Sequence, residues 1–457
     1  MIDTAERYSP GWWLAELVAK MPDRAVRFDA LADYANGDAP LPEAAEGFRE
    51  AYKSFQRKSR TNFAEIIVEA VQERMTVTGF RVGDDRTLDE AASRIWSVNE
   101  MDAQASDVHG DMLGLGEGFV IVGPPEVSSK LDWLPWRKAE RIPVITWEDP
   151  RTVVCEHDPL MPSRVVAALK IVTDATAGKE YAYLYLPGVV HVAMRNHVSA
   201  SVQDFEWESE TRLPVGVVPV VHFRNRHNLG EFETHTDLLD RINYMVLQRV
   251  VITAMQAFRQ RAIIGDLPDT DEEGNPIPYA EIFRPGAGAL WRISDPEVKL
   301  WESQQTDIQP MLSATKDDIR DLAAVTRTPM SMLLPDSQNQ SAEGASFARE
   351  GLVYKATDRI KRAAYGWNQV MQLALLFSGN GLVRDIETLW LPADRQSLAE
   401  RADAASKAQL PFGTKLRKIW QFSETEAERI EQERVSDVLM ETVATAGTET
   451  GEPDVRG

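Results

Sequence analysis

The pattern of hydrophobic and polar positions along the chain changes near Gly230. Before that point, apolar residues recur at helical spacing, with one helix expected to start at Pro10, another at about Pro22, and further helical sequence to about Arg74. Residues from about 144 to 224 form short apolar runs separated by Pro and Gly, which is typical of strands. The first half of the chain is therefore expected to form one α+β domain.

A glycine-rich segment in this half joins a predicted helix to a predicted strand. Helix-compatible spacing extends from Leu88 to Leu113, and residues 119–122 form a short apolar run typical of a buried strand. Gly114, Gly116 and Gly118 lie between them. The glycines of a dinucleotide-binding motif follow their strand, whereas these glycines precede one, so they predict a helix-to-strand turn.

The second half of the chain is dominated by long helical patterns. From Asp237 to Ile264 there is no Gly or Pro and a broad apolar stripe, which predicts a helix roughly 40 Å long. A second helix is expected from about Ile308 to Arg327, and a third from about Ala342 to Phe377. The polar loop before the third helix contains Ser337, Gln338, Asn339 and Gln340. A strand near Thr388–Leu391 and further helices to about Thr445 are expected to follow.

An acidic segment separates the first two of these long helices. Residues 265–283 contain no Lys or Arg, and their six acidic residues are Asp266, Asp269, Asp271, Glu272, Glu273 and Glu281. The spacing of Asp269, Asp271 and Glu273 resembles the start of a calcium-binding loop, but Ala280 occupies the position where a bidentate Glu is needed. A solvated, exposed acidic turn is therefore favoured, with cation binding as the lesser alternative.

Composition narrows the class of protein. The 457 residues are 43% hydrophobic, enough to build a core for two or three domains, and the net charge of −21 argues against a protein that reads DNA sequence through basic patches. An acidic channel wall past which DNA slides remains compatible with this charge. The single Cys155 cannot form an internal disulfide and is interpreted as a small core residue. No signal peptide or membrane span is recognisable, so assembly in the cytoplasm is expected.

Motifs for catalysis are weak. The Gly178-Lys179 pair lacks the remaining residues of a P-loop, which argues against an ATPase. His222, His227 and His235 lie close together in the sequence with Glu231 and Glu233 between them, but their spacing fits neither a helical His pair nor a zinc finger. A structural loop is the favoured interpretation of this cluster. A metal-dependent hydrolase that uses His222, His227 and Glu231 is the alternative.

Several segments resemble one family, the portal proteins of tailed phages, in its siphophage branch. Tyr34 to Leu41 resembles the N-terminal Tyr-x-x-Gly-x-x-Pro-Leu signature of that family. The other similar segments are Asn62 with Ile66–Val71, Ile95–Asn99, Val217–Arg226, Thr328-Pro329 and Asn339–Ala345. These segments occur in the order of the family's elements, from about Leu31 to Phe377. A capsid or adaptor protein is disfavoured because the two long helices with an acidic turn between them have no obvious use there.

The resemblance implies an α+β portal fold with an α/β wing, a two-helix stem, a small α/β clip and a helical crown. By position, the implied regions are the wing at 1–233, the first stem helix at 234–264, the clip at 265–305, the second stem helix at 306–328, the tunnel loop at 329–341, a long wing helix with its following strand at 342–392, the crown at 393–446 and a disordered tail at 447–457.

The resemblance also implies a function, that of a structural protein and not an enzyme. A dodecameric ring at the capsid vertex would pass double-stranded DNA during packaging and ejection. Its expected partners are the large terminase, a head-tail adaptor and the major capsid or scaffolding protein, with no cofactor, metal or membrane. Ser337, Gln338, Asn339 and Gln340 would line the channel, and the surface for terminase and adaptor would include Asp266, Asp269, Asp271, Glu272 and Glu273.

Overall fold

A computed structural model of the protein describes most of the chain. The described residues are 2–42, 50–83, 89–125, 142–196, 201–256, 261–264, 270, 273–277, 299–302, 306–334, 342–379, 381, 383, 385–394, 398–420, 422, 426–427 and 429–437. They belong to two units. The first comprises residues 1–36, 63–234 and 323–457, and the second comprises residues 37–62 and 235–322.

The described chain contains helices and antiparallel strands that are largely grouped in separate stretches of sequence, which confirms the α+β class. The helices are α1 (Pro10–Ala35), α2 (Glu50–Lys58), α3 (Phe63–Gln72), α4 (Glu90–Val98), α5 (Met101–Gly114), α6 (Thr236–Gln256), α7 (Gln309–Thr326), α8 (Met330–Leu333), α9 (Ala342–Ser378), α10 (Leu398–Lys407) and α11 (Phe412–Lys418). The strands are β1 (Val77–Val82), β2 (Glu117–Gly123), β3 (Val144–Glu148), β4 (Val153–His157), β5 (Val165–Asp174), β6 (Lys179–Leu186), β7 (Val189–Asn196), β8 (Glu206–Arg212), β9 (Val220–Arg224), β10 (Arg261–Ile264), β11 (Lys299–Glu302) and β12 (Ile386–Trp390).

Helix α1 is continuous through Pro22, so the predicted break at that residue is wrong. Its start matches the sequence, because the Ser9 side chain accepts a hydrogen bond from the backbone N–H of Trp12 at 3.2 Å. A proline inside a helix costs about 3 kcal/mol. Leu14 and Leu17 in the first half and Phe28 in the second half are fully buried, and this burial offsets the cost.

Two antiparallel sheets form the centre of the first unit. One has the order β4-β5-β6-β7-β8 and the other the order β3-β2-β9. Alternate residues of β5 point to opposite faces: Leu169 packs with the α1 side chains, while Ala168 packs with Phe119 and Val220 of the second sheet. The five-stranded sheet is therefore covered by α1 on one face and, at its β4–β5 edge, by the three-stranded sheet on the other.

The turn between α5 and β2 matches the interpretation of its glycines. Gly116 has a φ of +90°, and a Cβ at this position would lie 2.5 Å from the carbonyl oxygen of Asn228. Only glycine combines this backbone conformation with this close approach. The helix predicted from Leu88 to Leu113 is instead two helices, α4 and α5, because the chain turns at Glu100, whose φ is +54°.

Elements near the C-terminus pack against elements near the N-terminus. Strand β12 pairs antiparallel with β1, with Phe80 opposite Thr388. Helix α9 packs against α3, β2, β9 and β12, and its Trp367 is fully buried. The predicted disordered tail at 447–457 lies outside the described residues.

The second unit contains two long helices that run antiparallel. Near one end, Arg241 of α6 lies 2.8 Å from Asp318 of α7, and at the other end the Gln256 side chain donates a hydrogen bond to the carbonyl oxygen of Thr306 at 2.9 Å. Leu239 and Leu247 of α6 are buried. The returning pair that the sequence predicted is therefore present.

The first helix of this pair is shorter than the sequence predicted. The helix expected to reach Ile264 ends at Gln256, and Arg261–Ile264 instead form β10. Strand β10 pairs antiparallel with β11, with Ile263 opposite Leu300. The β-branched Ile263 and Ile264 favour a strand once a partner strand is available, and their hydrophobic pattern does not distinguish the two conformations.

Candidate functional site

Most residues predicted to contact DNA or partner proteins lie outside the described residues. This applies to Ser337, Gln338, Asn339 and Gln340 of the predicted tunnel loop, and to Asp266, Asp269, Asp271 and Glu272 of the predicted clip surface. Glu273 is described: it is exposed, in a turn beside the bridge between Thr270 and Pro276. Within the predicted tunnel loop at 329–341, Met330–Leu333 form α8, whose Leu333 is buried, and α9 follows the loop.

The histidine cluster singled out in the sequence is divided by the fold. His222 lies on β9 with its side chain buried against the ring of Phe119, which it stacks on at 4.5 Å between centroids. His227 is exposed and has a positive φ of 59°. His235 ends a short 3-10 turn before α6. The three histidines therefore lie in three different environments: one on a strand, one in a loop and one just before a helix.

Glu231 is held by two cations. Its carboxylate lies 2.9 Å from Nζ of Lys355 and accepts hydrogen bonds from the Arg359 guanidinium, both on α9. Burial alone would raise the pKa of Glu231, but the charges of Lys355 and Arg359 outweigh it and hold the pKa below its usual range. A carboxylate engaged in this way stabilises the fold and is not free to bind a metal together with His222 and His227.

His222 is part of a different polar cluster. Its Nε2 lies 3.2 Å from Oε2 of Glu117, and its Nδ1 lies 3.3 Å from Sγ of Cys155. Burial raises the pKa of Glu117, but the hydrogen bond with His222 and the charge of Arg24, 2.8 Å away, lower it to about 2 overall. Glu117 is therefore ionised and accepts the His222 Nε2–H.

The neighbouring groups are uncharged near neutral pH. Burial lowers the pKa of His222, and burial together with the nearby His222 lowers the pKa of His157 to about 4. Burial and the Glu117 carboxylate raise the pKa of the Cys155 thiol, which is therefore protonated. A protonated, partly buried thiol is a poor nucleophile, and Cys155 packs against the core of the two sheets.

Sequence reasoning did not single out Glu117 or Arg24, and it did not place Cys155 and His157 in this cluster. Cys155 and His157 are two positions apart on β4, where strand geometry places them on one face, with their side chains 3.9 Å apart between Sγ and Nδ1. The spacing of two on a strand was a usable signal. Their meeting with His222, 67 residues after Cys155, depends on the packing of the two sheets.

A cleft of about 680 Å³ lies beside this cluster. His157 and His222 line one part of it, together with Arg224, and Lys361, Arg362 and Tyr365 of α9 line another. Its one described carboxylate, Asp358, is paired with Arg359 and Arg362. The cleft is therefore predominantly basic.

None of the helices in the described ranges is both long enough and apolar enough to span a membrane.

Comparison with known proteins identifies relatives along most of the chain. Residues 14–438 match the family model described as phage portal protein, SPP1 Gp6-like. The chain is 26% identical over 364 residues to the portal protein of Mycobacterium phage D29, covering 76% of this chain and 72% of the relative. It is also 26% identical over 403 residues to the portal protein of Mycobacterium phage L5, covering 83% of this chain and 79% of the relative.

Solved structures with a similar arrangement include two chains from neck assemblies. The neck of an empty GTA particle, computed with C6 symmetry, matches with a TM-score of 0.48 at 12% identity and covers 87% of this chain and 99% of that chain. The neck of a native GTA particle, computed with C12 symmetry, matches with a TM-score of 0.45 at 12% identity, covering 85% and 96%. The family match over residues 14–438, which is most of the chain, decides the assignment: the chain belongs to the SPP1 Gp6-like family of phage portal proteins.

Proposed function

We propose that this portal-family chain is the subunit of a ring at the unique capsid vertex, and that the ring is the channel for packaging and ejecting double-stranded DNA. The main supporting observation is the antiparallel pair α6 and α7, joined through the acidic residues 265–283. An extended antiparallel helix pair whose connecting sequence is acidic suits a wall element repeated around an axis.

Subunits of such a ring contact one another head to tail, so each subunit uses two different faces. The two helices offer apolar side chains for this purpose, because Tyr244 of α6 and Val325 of α7 are about half exposed in the single chain. Burial of these side chains against neighbouring subunits would stabilise the ring. The proposed stoichiometry is twelve subunits.

The charge of the protein suits DNA that slides. A net charge of −21 disfavours tight, fixed contacts with phosphates along a channel wall. In the proposed channel, uncharged polar groups that form transient hydrogen bonds with the DNA backbone come from Ser337, Gln338, Asn339 and Gln340. Weak contacts of this kind guide DNA without stopping it.

The acidic segment between the stem helices is the proposed docking surface. Asp266, Asp269, Asp271, Glu272 and Glu273 would meet the large terminase during packaging and a head-tail adaptor afterwards. The first unit would contact the major capsid or scaffolding protein. The ring would assemble in the host cytoplasm and remain in the virion as a structural component without catalytic activity or cofactor.

Native mass spectrometry and electron microscopy of the purified full-length chain test this proposal. We expect a closed ring of twelve subunits with an axial opening, in which α6 and α7 surround the axis. A protein that stays strictly monomeric at the concentrations of assembly would contradict the proposal, as would an open filament without a channel.

A further inference from the structure

Three side chains on two strands bring together the donor atoms of a metal site. Cys155 and His157 come from β4 and His222 from β9, and one ligand atom from each lies within 4.8 Å of the others. The register between β4 and β5 shifts between Glu156 and His157, yet Cys155 and His157 still face one another. One thiol and two imidazoles are donor types that zinc prefers.

The separations of these atoms fit a zinc ion. Zinc binds sulfur at about 2.3 Å and imidazole nitrogen at about 2.0–2.1 Å, so at a tetrahedral angle the sulfur and nitrogen are roughly 3.6 Å apart. The distances from Cys155 Sγ are 3.3 Å to His222 Nδ1 and 3.9 Å to His157 Nδ1. The two observed sulfur–nitrogen distances lie on either side of the ideal one, each within about 0.3 Å of it. The two imidazole nitrogens lie within 4.8 Å of one another, where a tetrahedral ion needs roughly 3.3 Å, so the histidines would close in on the ion.

The surroundings of His222 orient it as a ligand. The Glu117 carboxylate, paired with Arg24, is placed to accept a hydrogen bond from His222 Nε2 at 3.2 Å. In that tautomer the lone pair of His222 is on Nδ1, the atom that faces Cys155. Arg24 fixes Glu117 in turn at 2.8 Å, and the stacked ring of Phe119 sets the plane of the imidazole. When one ring nitrogen of a histidine binds a metal, the other ring nitrogen usually donates a hydrogen bond to a carboxylate or a backbone carbonyl.

The fourth position of the ion has room for water. His157 and His222 also line the basic cleft of about 680 Å³. Three protein ligands with an open fourth position also occur in catalytic zinc sites, where a free carboxylate often assists the bound water as a general base. Of the described residues that line the cleft, Asp358 is the one carboxylate, and its pairing with Arg359 and Arg362 makes it unsuitable. The arrangement therefore suits a structural ion.

We propose that Cys155, His157 and His222 bind one zinc ion that links the five-stranded sheet to the three-stranded sheet of the first unit. On binding, the thiol of Cys155 loses its proton to solvent and its sulfur forms a bond to the ion, while the two neutral imidazoles donate lone pairs. Glu117 positions His222 without touching the ion. The site is independent of whether the protein forms a ring.

Metal binding by the full-length protein, after removal of any affinity tag and treatment with a chelator, tests this proposal. We expect one zinc per chain, a higher melting temperature with zinc, and a thiolate charge-transfer absorption when cobalt replaces zinc. Cys155→Ser and His157→Ala should each weaken zinc binding by about 100-fold or more and, for Cys155→Ser, abolish that absorption. Glu117→Gln should weaken binding by about 10- to 100-fold.

His227→Ala is the matched control, because His227 lines the same cleft but lies outside the group of three. This variant should bind zinc as the unchanged protein does. Failure of the folded, unchanged protein to bind one zinc, or cobalt binding without the thiolate absorption, would overturn the proposal regardless of how the variants fold. Loss of zinc binding in His227→Ala would overturn the assigned set of ligands.

Discussion

Trp367 donates its indole N–H to Nε2 of His109 at 2.8 Å, and both side chains are buried. Because Nε2 accepts this hydrogen bond, the proton of the neutral imidazole is on Nδ1, which is available for the backbone hydrogen bond with Met75. Burial lowers the pKa of His109 to about 3, despite the opposing effect of that backbone hydrogen bond. The pair joins α5 to α9 across 258 positions of sequence.

This pair predicts a loss of stability in acid. The unfolded chain takes up a proton on His109 below a pH of about 6.5, whereas the folded chain resists it until about pH 3. The free energy of unfolding should therefore decrease as the pH falls through this window, by up to about 1.4 kcal/mol per pH unit from this group. Urea unfolding at a series of pH values, with chelator present, measures the slope.

His109→Gln is the informative variant, since the Gln oxygen can still accept from Trp367. It should remove this contribution to the slope, whereas the same change at the exposed His227 should leave the slope as it is. Equal slopes for His109→Gln and the unchanged protein would show that His109 is not the responsible group.

Glu231→Ala should destabilise the first unit by about 3–5 kcal/mol, because it leaves the buried cations Lys355 and Arg359 without their counter-charge. The comparison variant is Asp358→Asn, which removes a half-exposed partner of the same Arg359 and should cost at most about 1 kcal/mol. Urea denaturation of both variants measures the difference. If both variants lose similarly little stability, Glu231 does not stabilise α9 in the way that its contacts with Lys355 and Arg359 indicate.

Two glycines of α9 should respond in opposite directions to the same change. A Cβ at Gly366 would lie 2.4 Å from the ring of Phe223, which is buried against Trp367 and cannot move away, so Gly366→Ala should cost about 1–3 kcal/mol. Gly351 has no neighbour within 4 Å of such a Cβ, so Gly351→Ala should add about 0.5–1 kcal/mol of helix stability. Thermal unfolding of the two variants compares them directly. An increase in stability for Gly366→Ala would contradict the packing.

The predicted tunnel loop can be tested by adding charge. Changing Gln338, Asn339 and Gln340 to Lys should slow DNA packaging or ejection, because fixed ion pairs with phosphates would replace transient hydrogen bonds. The neutral changes Gln338→Asn and Asn339→Gln serve as controls and should leave both rates nearly unchanged. Packaging assays in vitro and ejection assays on assembled particles measure the two rates. If the Lys variant matches the controls, this loop does not contact moving DNA.

The predicted docking surface can be tested by removing charge. The combination Asp269→Asn, Asp271→Asn and Glu272→Gln should weaken terminase binding at low ionic strength by about 10-fold or more, since charge complementarity governs such associations. A matched combination, Glu206→Gln, Glu208→Gln and Glu210→Gln, removes three exposed charges from β8 and should have little effect. Binding measured with purified terminase compares the two. Equal weakening in both would point to net charge and not to the clip.

The sequence predicted the long helices well where one apolar face persists. Helix α9 was expected at 342–377 and extends over Ala342–Ser378, and α7 was expected at 308–327 and extends over Gln309–Thr326. The prediction from sequence was wrong at two places. Pro22 does not end α1, and the last part of the apolar run to Ile264 forms β10 after α6 ends. At Pro22 the burial of α1 outweighs the local preference. At residues 261–264 the pairing with β11 decides between two conformations that the apolar pattern does not distinguish.

Periodicity, caps and turn residues are local, so the sequence by itself determined the α+β class, the returning helix pair and the glycine turn before β2. The order of its motifs also indicated the portal family. Tertiary structure alone decided which distant groups meet: Glu231 with Arg359, Cys155 with His222, and His109 with Trp367. Such partners are set by how two sheets and a helix pack, and the spacing of residues along a strand or helix does not encode that packing.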